Sequence, residues 1–208
     1  WPQARLMIIR AVPDGDEYDK DISTAIRYAV DNGAKVINMS LGKYTSPDAD
    51  MVNEAIEYAL KKDVLIIQAA GNNKRNIDLT YFPSAKDAQG KIFPNYLRVG
   101  SSDKKGQLSQ FSNYGAKEVD VFAPGEEITS VTVGNKYMVS QGTSIATPIV
   151  SGVAAMLRAH FPKLTATQIK EILIKSVRPA DNLKDRCTSG GIIDALQAVK
   201  LATEYKKR

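Results

Sequence analysis

A serine stands where a loop enters a helix: Gly142-Thr143-Ser144-Ile145-Ala146-Thr147-Pro148 leads directly into a long apolar stretch. At such a junction the hydroxyl lies at the positive end of the helix dipole, and the serine's own backbone N–H has no partner inside the helix. One residue thus offers a nucleophile and an oxyanion donor. Pro148 falls near the end of the first helical turn, where its missing donor costs little. In isolation Gly-Thr-Ser reads as an ordinary N-cap. Two further segments change that reading. Residues 64–68 run into Ala69-Ala70-Gly71-Asn72, an apolar strand that ends on small residues and an amide, and sites in α/β sheets are built at the carboxyl ends of strands. Asn72 donates two hydrogen bonds without carrying charge, which suits an oxyanion hole completed by the Ser144 N–H. Ser40-Leu41-Gly42 ends the neighbouring strand with an edge able to pair with an extended peptide. The three ends together converge on one cleft.

The elements that must carry these ends follow from periodicity. Leu6-Met7-Ile8-Ile9 predicts a short buried strand, followed by the acidic turn Pro13-Asp14-Gly15-Asp16-Glu17. Asp19 or Asp21 is expected to cap a helix with Ile22, Ala25, Ile26, Ala29 and Val30 on one face, ended by Gly33. Residues 36–41 form a strand, Val52, Ala55, Ile56, Ala59 and Leu60 mark a second helix, and residues 64–70 form a strand apolar on both faces. Strands buried on both sides with helices between them predict a parallel sheet in an α/β fold. From 97 to 139 short strands alternate with Gly and Pro, and Gly134-Asn135 signals a hairpin turn. Residues 144–160 have the length of a buried helix, Thr165-Ala166-Thr167-Gln168 has capping-box spacing, and residues 194–205 close the chain as a surface helix.

Composition narrows the function. The 208 residues, 43% hydrophobic and 25% charged, fit one globular domain and exclude a disordered or fibrous chain. No apolar run approaches the roughly 18 residues of a membrane span. The net charge of +5 is scattered, and Lys206-Lys207-Arg208 reads as a solvated tail, which argues against nucleic acid as a partner. One cysteine, Cys187, excludes an internal disulfide and is read as structural or inert. The single histidine, His160, stands sixteen residues beyond Ser144 on the same predicted helix, roughly 24 Å away by helix rise, so it is a structural histidine. The opening Trp1-Pro2-Gln3 has no initiator Met or leader-like run and reads as a piece of a longer chain.

The segments Val36-Ile37-Asn38-Met39-Ser40-Leu41-Gly42, Ala69-Ala70-Gly71-Asn72, Phe111-Ser112-Asn113-Tyr114-Gly115, Val119-Asp120-Val121-Phe122-Ala123-Pro124-Gly125 and residues 142–152 occur in this order. Together they resemble the carboxyl-terminal two thirds of a subtilisin-like serine protease. The resemblance covers about residues 5–200. It implies a three-layer α/β fold with a mainly parallel sheet between helices, and residues 1–208 as a partial peptidase domain. It further implies Ser144 as nucleophile, Asn72 as oxyanion donor, and Ser40, Leu41, Gly42, Ala70, Gly71 and Thr143 as substrate-binding residues. A polypeptide substrate and a secreted or cell-envelope location are implied in the same way.

The family's aspartate and histidine motifs are absent from this sequence. The resemblance places them upstream, so the expected partner is the missing amino-terminal part of the same domain, or self-association, and the chain alone is expected to be inactive. The competing reading is a non-catalytic module that keeps the peptide cleft without the chemistry. A sedolisin-type acid peptidase would place Asp where Asn72 stands, and no glycine-rich phosphate loop supports a nucleotide-binding fold. No cofactor is required. The acidic residues Asp14, Asp16, Glu17, Asp19 and Asp21 are of the kind calcium takes, but the run reads as a solvated loop at a helix start, and structural calcium is not assigned. Tyr81, if it occupies a position where a small residue is usual, is expected to make the primary pocket shallower and favour small or medium apolar side chains.

Overall fold

Residues buried on both faces can only be accommodated with a layer on each side, and the strand centred on Ile67 does this. The computed structural model describes residues 3–12, 15–78, 81–87 and 89–205. The chain runs α1 (Asp19–Asp31), β1 (Val36–Met39), α2 (Ala49–Lys61), β2 (Leu65–Ala69), β3 (Tyr96–Ser102), β4 (Val121–Pro124), a hairpin of β5 (Ile128–Thr132) and β6 (Lys136–Ser140), α3 (Thr143–His160), α4 (Ala166–Lys175), β7 (Arg178–Pro179), β8 (Gly191–Ile192) and α5 (Ala195–Tyr205). The main sheet has the order β1-β2-β3-β4-β8-β7 and is parallel except for β7 against β8.

Successive side chains of a strand point to opposite faces. Leu65 and Ile67 of β2, with Leu97 and Val99 of β3, pack against Ala146, Val150, Ala154 and Leu157 of α3 and against α4 and α5. Ile66 and Tyr96 turn the other way, onto Ile22 and Ile26 of α1 and Val52 and Ile56 of α2. This is the expected three-layer architecture. The hairpin turns through the three residues between the paired Thr132 and Lys136, with positive φ at Gly134 and Asn135 (76° and 55°), a backbone that glycine and asparagine adopt readily. The capping box at α4 forms in full, Thr165 Oγ accepting from Gln168 N–H and Gln168 Oε1 from Thr165 N–H.

Two expectations fail. Leu6-Met7-Ile8-Ile9 is no strand, and Leu6 and Ile8 are 85% and 88% exposed. An apolar run becomes a strand only when a neighbour supplies hydrogen bonds, and β1 at the sheet edge pairs only with β2 among the described residues. Nor does Asp19 or Asp21 cap α1. Tyr18 occupies that position without a side-chain cap, because the Asp19 carboxylate is taken by Ser46 Oγ (2.6 Å), Asp48 N–H (3.1 Å) and the Lys43 ammonium (2.7 Å). Trp1-Pro2, Asp14 and Lys206-Lys207-Arg208 lie outside the described residues.

Candidate active site

The parallel order brings the carboxyl ends of β1 and β2 side by side, in register from Val36↔Leu65 to Met39↔Gln68. Beyond those ends run Ser40-Leu41-Gly42 and Ala70-Gly71-Asn72, and α3 begins against both. The hairpin delivers the chain to that point, where the Gly142 N–H bonds the Gly125 carbonyl at 2.8 Å. Gly142 has φ +142°, a conformation open to glycine and strained for other residues.

Thr143, the first residue of α3, fastens the two segments together. Its hydroxyl accepts the Gly71 N–H (3.0 Å) and donates to Asn72 Oδ1 (3.0 Å), and its N–H bonds the same oxygen (2.9 Å). With Oδ1 fixed by two donors, Asn72 Nδ2 is directed to the other side, towards Ser144. A Cβ built on Gly142 would lie 3.5 Å from Asn72 Nδ2, 3.7 Å from Ser144 N and 2.9 Å from Ser144 Oγ. Two N–H donors and a hydroxyl therefore converge on one small space that the absent side chain of Gly142 leaves open. An oxyanion placed there would be held by a neutral amide and a helix N-terminal N–H, beside the Ser144 hydroxyl.

Ser40 is tied to the same helix end through Pro148. A proline cannot donate to the carbonyl four residues back, so the Ser144 C=O lacks its helical partner. Ser40 Oγ supplies it at 2.9 Å, while Asn38 Nδ2 donates to Ser40 Oγ (3.0 Å). Asn113 braces the other segment, its Nδ2 donating to the Ala70 carbonyl (2.8 Å) and its Oδ1 accepting from Asn73 and Arg75 N–H (3.1 and 3.0 Å). The Ala70 N–H bonds the Val99 carbonyl at 2.9 Å, so both backbone groups of Ala70 are used within the fold. The Leu41 carbonyl accepts from Gln68 Nε2 (3.2 Å). Ser144, Asn72, Thr143, Gly71 and Ser40 are thus joined by hydrogen bonds and near approach, with Leu41, Gly42 and Ala70 continuing the two segments.

The sequence marks Thr143 without the role of its hydroxyl, and nothing in it gives the Asn113 side chain a role. The signal available for Ser40 was Pro148, four residues after Ser144, which orphans a carbonyl at a helix start.

His160 ends the helix that Ser144 nearly begins, so it is remote from the serine. Cys187 is buried, and burial pushes its thiol up against hydrogen bonds from its surroundings, a setting that disfavours the thiolate. Of the acidic run, Asp19 and Glu17 are engaged within the fold. Asp19 already holds the Lys43 ammonium, and burial pushes the Glu17 carboxyl up, against the opposing effects of the Gly42 N–H and the Lys43 charge. Among the described residues no group of three His, Cys, Asp or Glu side chains is placed to hold a metal ion, and no helix is long and apolar enough to cross a membrane.

Residues 1–194 match the model of the subtilase family. The chain is 40% identical over 160 residues to the thermophilic serine proteinase of Bacillus sp. (strain AK1), covering 76% of this chain and 37% of that protein. It is 34% identical over 200 residues to the major intracellular serine protease of Bacillus subtilis (strain 168), covering 91% and 59%. Among solved structures, it superposes on a chain from the subtilase cytotoxin SubAB assembly with a TM-score of 0.79 at 27% identity, covering 94% of this chain and 68% of that one. The chain thus spans less than two thirds of either bacillary relative. A family match over nearly the whole chain joins a parallel sheet whose strand ends meet a helix start at Asn72 and Ser144, and the chain belongs to the subtilase family.

Proposed function

We propose that these residues form the nucleophile-bearing part of a serine endopeptidase. The observation that carries this reading is the convergence of Asn72 Nδ2, Ser144 N–H and Ser144 Oγ around the space left by Gly142. In the proposed reaction a peptide lies along Ser40-Leu41-Gly42 with its scissile carbonyl oxygen between the two donors. Ser144 Oγ attacks the carbonyl carbon, the amine leaves with a proton, and water then hydrolyses the acyl-enzyme. The base that takes the Ser144 proton is a histidine oriented by an aspartate, both supplied by sequence outside these 208 residues, and no cofactor takes part.

The sheet edge gives that supply a place. In a parallel sheet the carboxyl ends of all strands lie at one end, so a strand added to the open side of β1 would finish beside Ser40 and hence beside Ser144. Completing the sheet and completing the catalytic set would then be one event. A secreted or cell-envelope location is proposed from the resemblance, while the name of the B. subtilis relative places that protein inside the cell.

The test compares the complete protein with the isolated 208 residues, using a fluorophosphonate probe and a peptide substrate. The complete protein should label at Ser144 and hydrolyse peptides, and Ser144→Ala should abolish both. The isolated chain should do neither, because a serine hydroxyl without a base is a weak nucleophile. Stoichiometric labelling of Ser144 in the isolated chain would overturn the mechanism. Peptide binding without labelling in the complete protein would identify a non-catalytic module instead.

A further inference from the structure

The space for the side chain that precedes the scissile bond is already occupied. In the protease reading, a peptide running back from the oxyanion site along Ser40-Leu41-Gly42 would direct its last side chain towards the gap between that segment and Ala70-Gly71-Asn72. Tyr81 stands in this gap. A Cβ on Gly42 would come 2.4 Å from the Tyr81 hydroxyl oxygen, and one on Gly71 would come 2.7 Å from the same atom. The hydroxyl therefore touches the backbone of both segments at positions where neither has a side chain, and the residue is only 8% exposed.

The ring is held from three sides. Phe82 and Lys43 exchange both backbone hydrogen bonds (2.8 and 3.0 Å) as an antiparallel bridge, which fixes the main chain next to Tyr81 against the end of the β1 segment. Beneath lies Arg98, fully buried, its guanidinium 5.4 Å from the Tyr81 ring centroid and paired with Gln68 Oε1 (2.9 Å) and Glu118 Oε2 (3.1 Å). Swinging Tyr81 outward would strip this cation of a ring face in a dry interior. On the third side Tyr44 meets the ring edge-on at 5.1 Å and 72°. The Tyr44 hydroxyl donates to Asn73 Oδ1 (3.0 Å) and accepts from Asn113 Nδ2 (3.1 Å), so Tyr44 bridges from the β1 extension to the loop after β2.

We propose that Tyr81, strapped by Tyr44, closes the pocket for the side chain before the cleaved bond, and that the substrates are polypeptides with glycine or alanine at that position. The proposal rests on the protease reading above, since it takes the oxyanion site as the point from which the peptide is placed. Carbon atoms pack at about 3.5–4.0 Å. A phenol so close to both segments that not even a methyl would fit on Gly42 or Gly71 leaves no volume for a branched or aromatic side chain unless the ring moves.

The test uses the complete protein carrying Ser144→Ala, titrated calorimetrically with the cleavage-product mimics N-acetyl-Ala-Ala-Pro-Xaa, where Xaa is Gly, Ala, Leu or Phe. Gly and Ala peptides should bind about tenfold or more tightly than Leu and Phe peptides, the discrimination that one or two misfitting methylenes produce. Adding Tyr81→Ala should reverse the order, and Tyr81→Phe, which keeps the ring, should preserve it. Equal binding of the Phe and Gly peptides by the Ser144→Ala protein overturns the proposal, even if Tyr81→Ala fails to fold. So does an order that a folded Tyr81→Ala variant leaves unmoved. In parallel, labelling of Ser144 in the unsubstituted protein reports the protease reading separately. Absent labelling with the Gly-over-Phe order intact removes the reaction and leaves the closed pocket standing.

Discussion

Thr143→Val tests whether the oxyanion geometry depends on the hydroxyl of Thr143. The substitution keeps size and branching and removes one oxygen from a residue that is 1% exposed. Two effects follow. The buried Gly71 N–H loses its acceptor, which costs about 1–3 kcal/mol, and for a domain of this length each kcal/mol lowers Tm by roughly 2–4 °C. Asn72 Oδ1 loses one of two donors but keeps the Thr143 N–H at 2.9 Å, so the amide is loosened rather than released. The loss in kcat should therefore fall short of that for Asn72→Ala, for which the oxyanion asparagine of subtilisin itself sets the scale at roughly two to three orders of magnitude. A reduction of about tenfold, near 1.4 kcal/mol, is expected. The assay is kcat and KM on one peptide substrate in the complete protein, with thermal melts beside it, for each single variant and the double. If Thr143 acts on the reaction through Asn72, the double variant should be little slower than Asn72→Ala alone, and Thr143→Ser should recover most of the rate. Full additivity in the double variant, or wild-type kcat in a destabilised Thr143→Val protein, refutes the coupling.

Gly142→Ala should fold with a cost of order 1–3 kcal/mol for its φ of +142° and lose most of its activity, because the new methyl enters the space between Asn72 Nδ2 and Ser144; active-site labelling at near wild-type rate argues against that space being the oxyanion site. Asp63→Asn removes a carboxylate that bonds Arg158 Nη1 (2.8 Å) and the first N–H of α4 at Ala166 (2.6 Å), at a backbone position of φ 58° that asparagine adopts well. Burial raises the Asp63 pKa, but the Arg158 and Ala166 hydrogen bonds outweigh it and hold the carboxyl below its ordinary value. Its stabilisation is therefore complete above the unfolded value near 4 and lost as pH falls through the lower folded value. Allowing for the half-exposed side chain, the variant should be about 1 kcal/mol less stable at neutral pH, and urea melts between pH 3 and 7 should show the gap closing at the acid end. A gap independent of pH removes the ionised carboxylate as its source.

How much was legible follows from how local each feature is. β2, α3, the Gly134-Asn135 hairpin and the α4 capping box depend on neighbours within a few residues, and the sequence pattern locates all four. Leu6-Met7-Ile8-Ile9 carries the same apolar pattern yet stays exposed, because a strand needs a partner whose hydrogen bonds no local pattern encodes. Asp19 looked like a cap and is instead drawn to Lys43, Ser46 and Asp48 across the top of α1. A buried pairing with an ammonium and two donors outcompetes one helix N–H.

The site divides along the same line. Ser144 and Asn72 were visible because each sits at an element's end, where backbone groups run out of partners. What orients them was not visible, since every brace spans a long stretch of sequence: Thr143 to Gly71, Ser40 to the Ser144 carbonyl, Asn113 to Ala70. Each brace satisfies a backbone group that its own secondary structure cannot, so the convergence of Asn72 and Ser144 is a by-product of ending two strands and starting a helix at one point. In this chain that geometry is in place without any histidine near Ser144. In the proposed mechanism, binding and charge stabilisation, which in subtilisin retain roughly a thousandfold or more over water once the triad is gone, would depend on braces these residues already contain. Proton transfer, in the same proposal, depends on the histidine and aspartate assigned to sequence outside them.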